Sequence, residues 1–153
     1  MTINVPLPSA QPGNRREAMF VPVDLSGFFG DEDGAIVMVS MEKLSRRITR
    51  DRGGMSSLID NLDNLNDAYR QIDLGSPLML PVLNSRKREI QAQLLVESGR
   101  HQLYALRSRG AGAVPVIVPQ GLLLQVEREL GLELDAQVDA AIGIGNITRG
   151  QVA

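Results

Sequence analysis

The sequence predicts a mixed α+β fold built as one domain. Three observations carry this expectation: β-branched runs such as "AIVMVS" and "AVPVIVP", stretches whose apolar residues recur at helical spacing, and an imperfect alternation of the two with no internal repeat. At 153 residues the chain suits a single core of ordinary size. The domain is expected over residues 19–131, preceded by a flexible arm at 1–18 and followed by a C-terminal helix and tail at 132–153.

The arm is inferred from Pro6, Pro8, Pro12 and Gly13, which punctuate any regular element. "MFVPVDLSGFF" alternates apolar residues as a first strand would, and "GDEDG" ends it. "AIVMVSMEKL" reads as the next strand, with Ile36, Val37 and Val39 β-branched. "SRRITRDRGGMSS" then reads as a basic loop. In "SLIDNLDNLNDAYRQI", Leu58, Leu62, Leu65, Tyr69 and Ile72 trace an amphipathic helix, with Ser56 or Ser57 placed to cap it and Asp60 and Asp63 at the positive end of its dipole. "PLMLPVLN" and "IQAQLLVE" are expected to pair as a hairpin around the turn "SRKRE". "HQLYALRSRG" is helical and closes on Gly110, "AVPVIVP" is a strand that its prolines confine to an end or edge, and "GLLLQVERELG" buries Leu123, Val126 and Leu130 on one helical face.

Composition removes whole classes of function. The chain has no cysteine, which excludes thiolate catalysis and cysteine-based metal sites, and its single histidine excludes multi-histidine ones. Carboxylate-bound Mg2+ remains open. With three Phe, two Tyr and no Trp, rows of base-stacking aromatics are not available. No apolar run nears the ~20 residues that span a bilayer, so a cytoplasmic protein with no membrane partner is expected. The net charge of −2 is uneven: residues 41–54 carry five basic residues against two acids, and residues 84–110 carry six against two. Two basic islands in an acidic chain point to a localised anion site, or more plainly to solvated helix faces.

The stretch "VESGRHQLYALRSRG" is where such a site is expected. A strand ending at Val96, a turn at Ser98-Gly99 and a helix beginning near Arg100 would aim unpaired amides at one point, and Arg100 and His101 would add donors. Glu97 is placed to ligate a metal or act as a base. Strand–glycine–helix turns are common, and by itself the stretch reads as an ordinary helix start.

In its context it resembles the ParB/sulfiredoxin superfamily. The resemblance spans about residues 36–119 and rests on "LGSPLMLPVLN", a hairpin, "LLVESGRHQLYALRSRGAGAVPVIV" and the upstream "VSMEKLSRRI". It implies a pocket for ATP or CTP phosphates formed by Ser98, Gly99, Arg100, His101 and Gln102, with further contacts from Arg46, Arg47, Arg50 and Arg52. It also implies Glu97, Arg100 and His101 as catalytic residues, with a metal such as Mg2+ or a water held near Glu97; spacing does not support two-metal catalysis, and Asp51 is the best candidate for a second carboxylate. Two departures stand out. The cysteine that sulfiredoxins use is Arg100 here, which excludes sulfinic-acid repair, and Gln102 replaces the family's arginine, lowering the loop's charge. The 34 residues after Pro119 are too few for the helix-turn-helix and dimerisation domains of partition ParB proteins.

The resemblance thus implies a stand-alone plasmid or phage accessory protein, similar to the plasmid fertility-inhibition members of the superfamily. Two functions are expected from different classes: a nucleotide-binding protein with NTP-dependent DNase or NTPase activity, or a non-catalytic module that inhibits a protein partner in a conjugation or secretion machinery or contacts the DNA phosphate backbone. "SRKR" at Ser85–Arg88 reads first as a solvated hairpin tip, and "GIGNITRG" follows no strand that would make it a dinucleotide fingerprint.

Overall fold

The computed structural model describes residues 2–8, 16–21, 24, 25 and 27–132. Their fold is α+β, with seven strands in two mixed sheets and four helices. The expected C-terminal helix and "GIGNITRG" lie outside the described residues.

The stretch expected as a flexible arm contains strand β1 (Ile3–Leu7), which pairs antiparallel with β2 (Arg16–Phe20). Ile3, Val5 and Leu7 alternate inward and are buried, so the period-2 pattern of "INVPL" outweighs its proline, which points outward. β4 (Pro77–Leu78) adds to β2 in parallel and completes a three-stranded sheet in the order β1-β2-β4.

The second sheet has four strands in the order β3-β7-β5-β6. β3 (Gly34–Ser40) and β7 (Ala113–Pro119) pair antiparallel over their whole length, from Gly34↔Pro119 to Ser40↔Ala113. β5 (Val82–Ser85) and β6 (Leu94–Ser98) form the expected hairpin around a 3-10 turn at Arg86–Arg88. β7 is an interior strand, although its prolines were expected to confine it to an end or edge. Strand parity explains how it tolerates them. Pro115 and Pro119 share the parity of Ile117, whose N–H donates 2.8 Å to Pro81 O on the β5 side. β5 meets β7 only at Val82↔Ile117, so neither proline is asked for a ladder bond.

Residues 45–52 of the stretch expected as a basic loop, together with residues 41–44, expected as the end of the strand, form helix α1 (Met41–Arg52). Met41, Leu44 and Ile48 recur at three and four residues and are buried, Ser40 caps the start by accepting from Lys43 N–H at 3.2 Å, and Gly53 closes the end with φ +88°. The dense arginines conceal that narrow apolar stripe. The leucine helix is also shorter than its periodicity predicts. Met55–Leu58 is a separate 3-10 turn, and α2 (Leu62–Asp73) starts at Asn61, whose side chain accepts from Asn64 N–H, so neither Ser56 nor Ser57 is its cap. The break places Leu58 in the core and leaves Leu62 71% exposed. α3 (Arg100–Ser108) and α4 (Leu123–Leu130) follow the expected faces, with Leu103, Leu106, Leu123, Val126 and Leu130 buried.

One buried ion pair locks α1 in place. The Arg47 side chain is 4% exposed and donates from Nε to Asp51 Oδ2 at 2.7 Å, from Nη1 to Glu129 Oε2 of α4 at 3.1 Å, and from Nη2 to Ala92 O at 2.6 Å and to Ile90 O. Asp51, 8% exposed, also accepts from Arg50 Nε and from Leu94 N–H of β6, both at 2.9 Å. Burial by itself would raise the Asp51 pKa, but the Leu94 amide, Arg47 and Arg50 outweigh it and hold the carboxyl at about 2.

A carboxyl held below its unfolded value stabilises the fold above the ordinary aspartate pKa, and that contribution is lost as pH falls from about 4 towards 2. Asp51→Asn is expected to cost about 3 kcal/mol at pH 7, because it removes the buried counter-ion of Arg47 and leaves only the half-exposed Glu129 carboxylate to answer it. It should also flatten the acid dependence between pH 4 and pH 2. Urea unfolding of both proteins across that range measures each effect.

Candidate functional site

The loop from Glu97 to Gln102 joins β6 to α3. Gly99 makes the turn with φ +78°, and a Cβ there would meet Pro81 Cα at 2.9 Å, so the position requires glycine both for its backbone angle and for the approach of the β4–β5 segment. α3 has no side-chain N-cap, so no capping side chain answers its first amides. The turn borders a cavity of about 500 Å³ whose opposite wall is α2, through Asn64, Ala68 and Gln71.

The cations of this loop are already engaged. Arg100 Nη2 lies 2.6 Å from Asp60 Oδ2, and His101 Nε2 lies 3.1 Å from Asp60 Oδ1 and 3.4 Å from the Asp60 amide. A protonated Nε2 would donate to the carboxylate and an unprotonated one would accept from the amide, so Asp60 holds the imidazole in either state. Gln102 donates from Nε2 to Gln71 Oε1 at 3.1 Å, and its Oε1 is buried without a hydrogen-bond partner among the described residues. Glu97 is exposed and accepts from Asn84 Nδ2 at 3.2 Å.

The upstream basic residues do not join this cavity. Arg47 points into the interior, where it holds α1 to the hairpin and α4. Arg46 and Arg50 line a second, larger groove of about 850 Å³ together with Arg107 of α3. Arg52 ends α1, half-buried, and lines neither space. Asp51 and Glu97 are likewise not brought into one pocket. Both Asp51 oxygens are occupied by Arg50, Arg47 and Leu94 N–H, which leaves this carboxylate poorly suited to a metal. Among the described residues no three His, Asp or Glu side chains cluster as a cation site.

Two participants escape sequence reasoning. Asp60 reads as a helix-dipole residue, but the helix starts after it, and its partners lie 40 and 41 residues away in sequence. Arg107 reads as a dipole partner at the end of α3, yet its Nε donates to Ser45 Oγ of α1 at 3.0 Å. Only the packing of α1, the 3-10 turn and α3 creates these pairs.

No family model and no curated protein matches the sequence. The fold is similar to a solved structure of the oncogenic suppression activity protein, a plasmid fertility inhibition factor, crystallised as a gold(I) cyanide derivative. The two share a TM-score of 0.61 at 13% identity, over 86% of this chain and 70% of that one.

The two demands on Gly99 separate by substitution. Gly53→Ala, with φ +88° and open space around its Cβ, should cost about 1 kcal/mol. Gly99→Ala should cost about 2 kcal/mol or more, since the Pro81 backbone must also move. Urea midpoints compared at equal m-value resolve the difference.

Proposed function

We propose that this chain is a plasmid accessory protein of the fertility-inhibition kind, acting as a non-catalytic module that binds and blocks a protein of a conjugation or secretion machinery. The setting is suggested by the fold it has in common with a protein described as a plasmid fertility inhibition factor. The observation that favours binding over turnover is Asp60. It neutralises Arg100 and answers His101, the two side chains a phosphate would need, so the loop is electrostatically satisfied by its own chain.

A second reading keeps the loop as a site for ATP or CTP with Mg2+ and for phosphate chemistry. It is favoured by the Gly99 turn, the uncapped N-terminus of α3 and the orphaned Gln102 Oε1 beside the cavity. In this reading the phosphates displace Asp60 from Arg100 and His101. Ser98 and Gly99 offer backbone to the ligand, Glu97 holds the metal or a water, and Mg2+ supplies charge neutralisation at the phosphates. Asp51 takes no part, since its oxygens serve the α1–β6 junction.

The binding reading expects no change in thermal midpoint with ATP, CTP or GTP plus Mg2+, whereas a ligand at ~100 times its dissociation constant would add roughly 2.7 kcal/mol. It also expects that expressing the chain in a donor cell lowers conjugation frequency, equally for the native chain and for Glu97→Ala. Nucleotide hydrolysis or metal-dependent nicking abolished by Glu97→Ala and by Arg100→Ala would establish the enzyme instead. Asp60→Asn sharpens the choice, because releasing Arg100 from its carboxylate should raise any phosphate affinity at least tenfold.

A further inference from the structure

Two large apolar side chains stand in water at the end of α2. Leu74 is 73% exposed, and Met79, between β4 and β5, is 59% exposed. The local fold asks nothing of either side chain. α2 is closed by backbone bonds alone, from Leu74 N–H to Arg70 O at 2.9 Å, Gly75 N–H to Ile72 O at 3.1 Å and Ser76 N–H to Gln71 O at 2.9 Å. The last two make a Schellman cap, which fixes the corner whatever residue occupies position 74. Asn64, Asp67, Gln71 and Leu74 recur at spacings of three, four and three, which puts them on one exposed face of α2. The first three line the cavity beside the Gly99 turn, and Met79 lines it from the β4–β5 segment. This face is acidic. Asp63, one turn before Asp67, has no ion-pair partner among the described residues, and Asp67 meets only Arg70, at 3.6 Å with both side chains largely exposed.

We propose that this face of α2, with the Met79 corner, is the docking surface for the protein partner, and that it takes a segment presenting an apolar side chain flanked by lysine or arginine. The inference rests on the protein-binding reading above and gives that reading a surface. An apolar side chain seated between Leu74 and Met79 removes both from water, which supplies affinity, and the unbranched thioether of Met79 adapts to its shape. Basic flanks answer Asp63 and Asp67, which favour the encounter of a cationic segment and disfavour an acidic one. The surface is also held in place before any partner arrives. Its backbone cap is closed, and Asp73 in the last turn of α2 is bound to Arg109 of α3 at 2.9 and 2.7 Å. The far wall of the cavity takes no part: Glu97 is held by Asn84, and Arg100 and His101 by Asp60.

The test has two arms. In the first, amide NMR spectra of the full chain are followed during titration with the blocked peptides Lys-Leu-Arg-Lys-Leu-Arg and Glu-Leu-Asp-Glu-Leu-Asp. The basic peptide is expected to shift the amides of Asn64, Asp67, Gln71, Leu74 and Met79, and the acidic one is not. Leu74→Ser combined with Met79→Ser should weaken the basic peptide about tenfold, and Asp63→Asn with Asp67→Asn about threefold. In the second arm, donor cells expressing the Leu74→Ser, Met79→Ser double variant should recover conjugation, whereas Leu124→Ser, a change at a similarly exposed leucine of α4, should inhibit as the native chain does. All these positions are exposed, so an unchanged thermal midpoint accompanies each variant. Shifts scattered over the whole surface, shifts that survive the double variant, or full inhibition by that variant would overturn the proposal. A native chain that leaves conjugation frequency unchanged removes the inhibitory function instead, and the peptide arm then decides the surface alone.

Discussion

The rotation of α1 is set by one buried guanidinium, and the placement of the other charges on that helix follows from it. Arg47 joins its own helix, the carbonyls of the β5–β6 connection and α4, and Asp51 carries the junction on to the β6 backbone. A charge taken out of water tolerates only an arrangement in which its donors are met, so alternatives that turn α1 about its axis leave a buried cation unpaired. Helical geometry then does the rest. At about 100° per residue, positions 46 and 50 fall on the same side of position 47, and Arg46 and Arg50 emerge together into one groove. The same rotation turns Met41, Leu44 and Ile48 into the core.

A second ion-paired junction holds the sheets and helices at the opposite end. Asp73 of α2 receives Arg109 from α3 and Arg16 from β2, and these bonds, Arg109 first, keep its carboxyl below the ordinary range despite partial burial. Tyr69 lies under the Arg109 guanidinium, 4.4 Å from ring centre to Cζ. Being half-exposed, this cluster contributes less than the Arg47 junction. Its effect is positional: it ties the end of α3 to the end of α2.

The two basic islands of the sequence therefore have three different fates. Arg47 is structural, Arg46 and Arg50 face the α1–α3 groove, and Arg100 is answered by Asp60. Charge counting along the chain places all of them on a single anion site because it registers neither helix rotation nor partners distant in sequence. The loop at the head of α3 is balanced by an acid of its own chain, Asp60.

Much of the fold was legible without coordinates wherever local pattern and burial agree. The β3, β5, β6 and β7 segments, the α3 and α4 faces and the glycine at position 99 all announce themselves through alternation, helical spacing or turn chemistry. What sequence alone could not determine depends on contacts between remote elements. The interior position of a proline-bearing β7 depends on how far β5 reaches along it, the helical state of 41–52 on burial of a stripe hidden among arginines, and the pairing of Asp60 with Arg100 and His101 on the docking of a 3-10 turn against α3. Local propensity operates over a few residues, whereas a buried charge, a ladder bond and a salt bridge across 40 residues are decided only when the chain closes on itself.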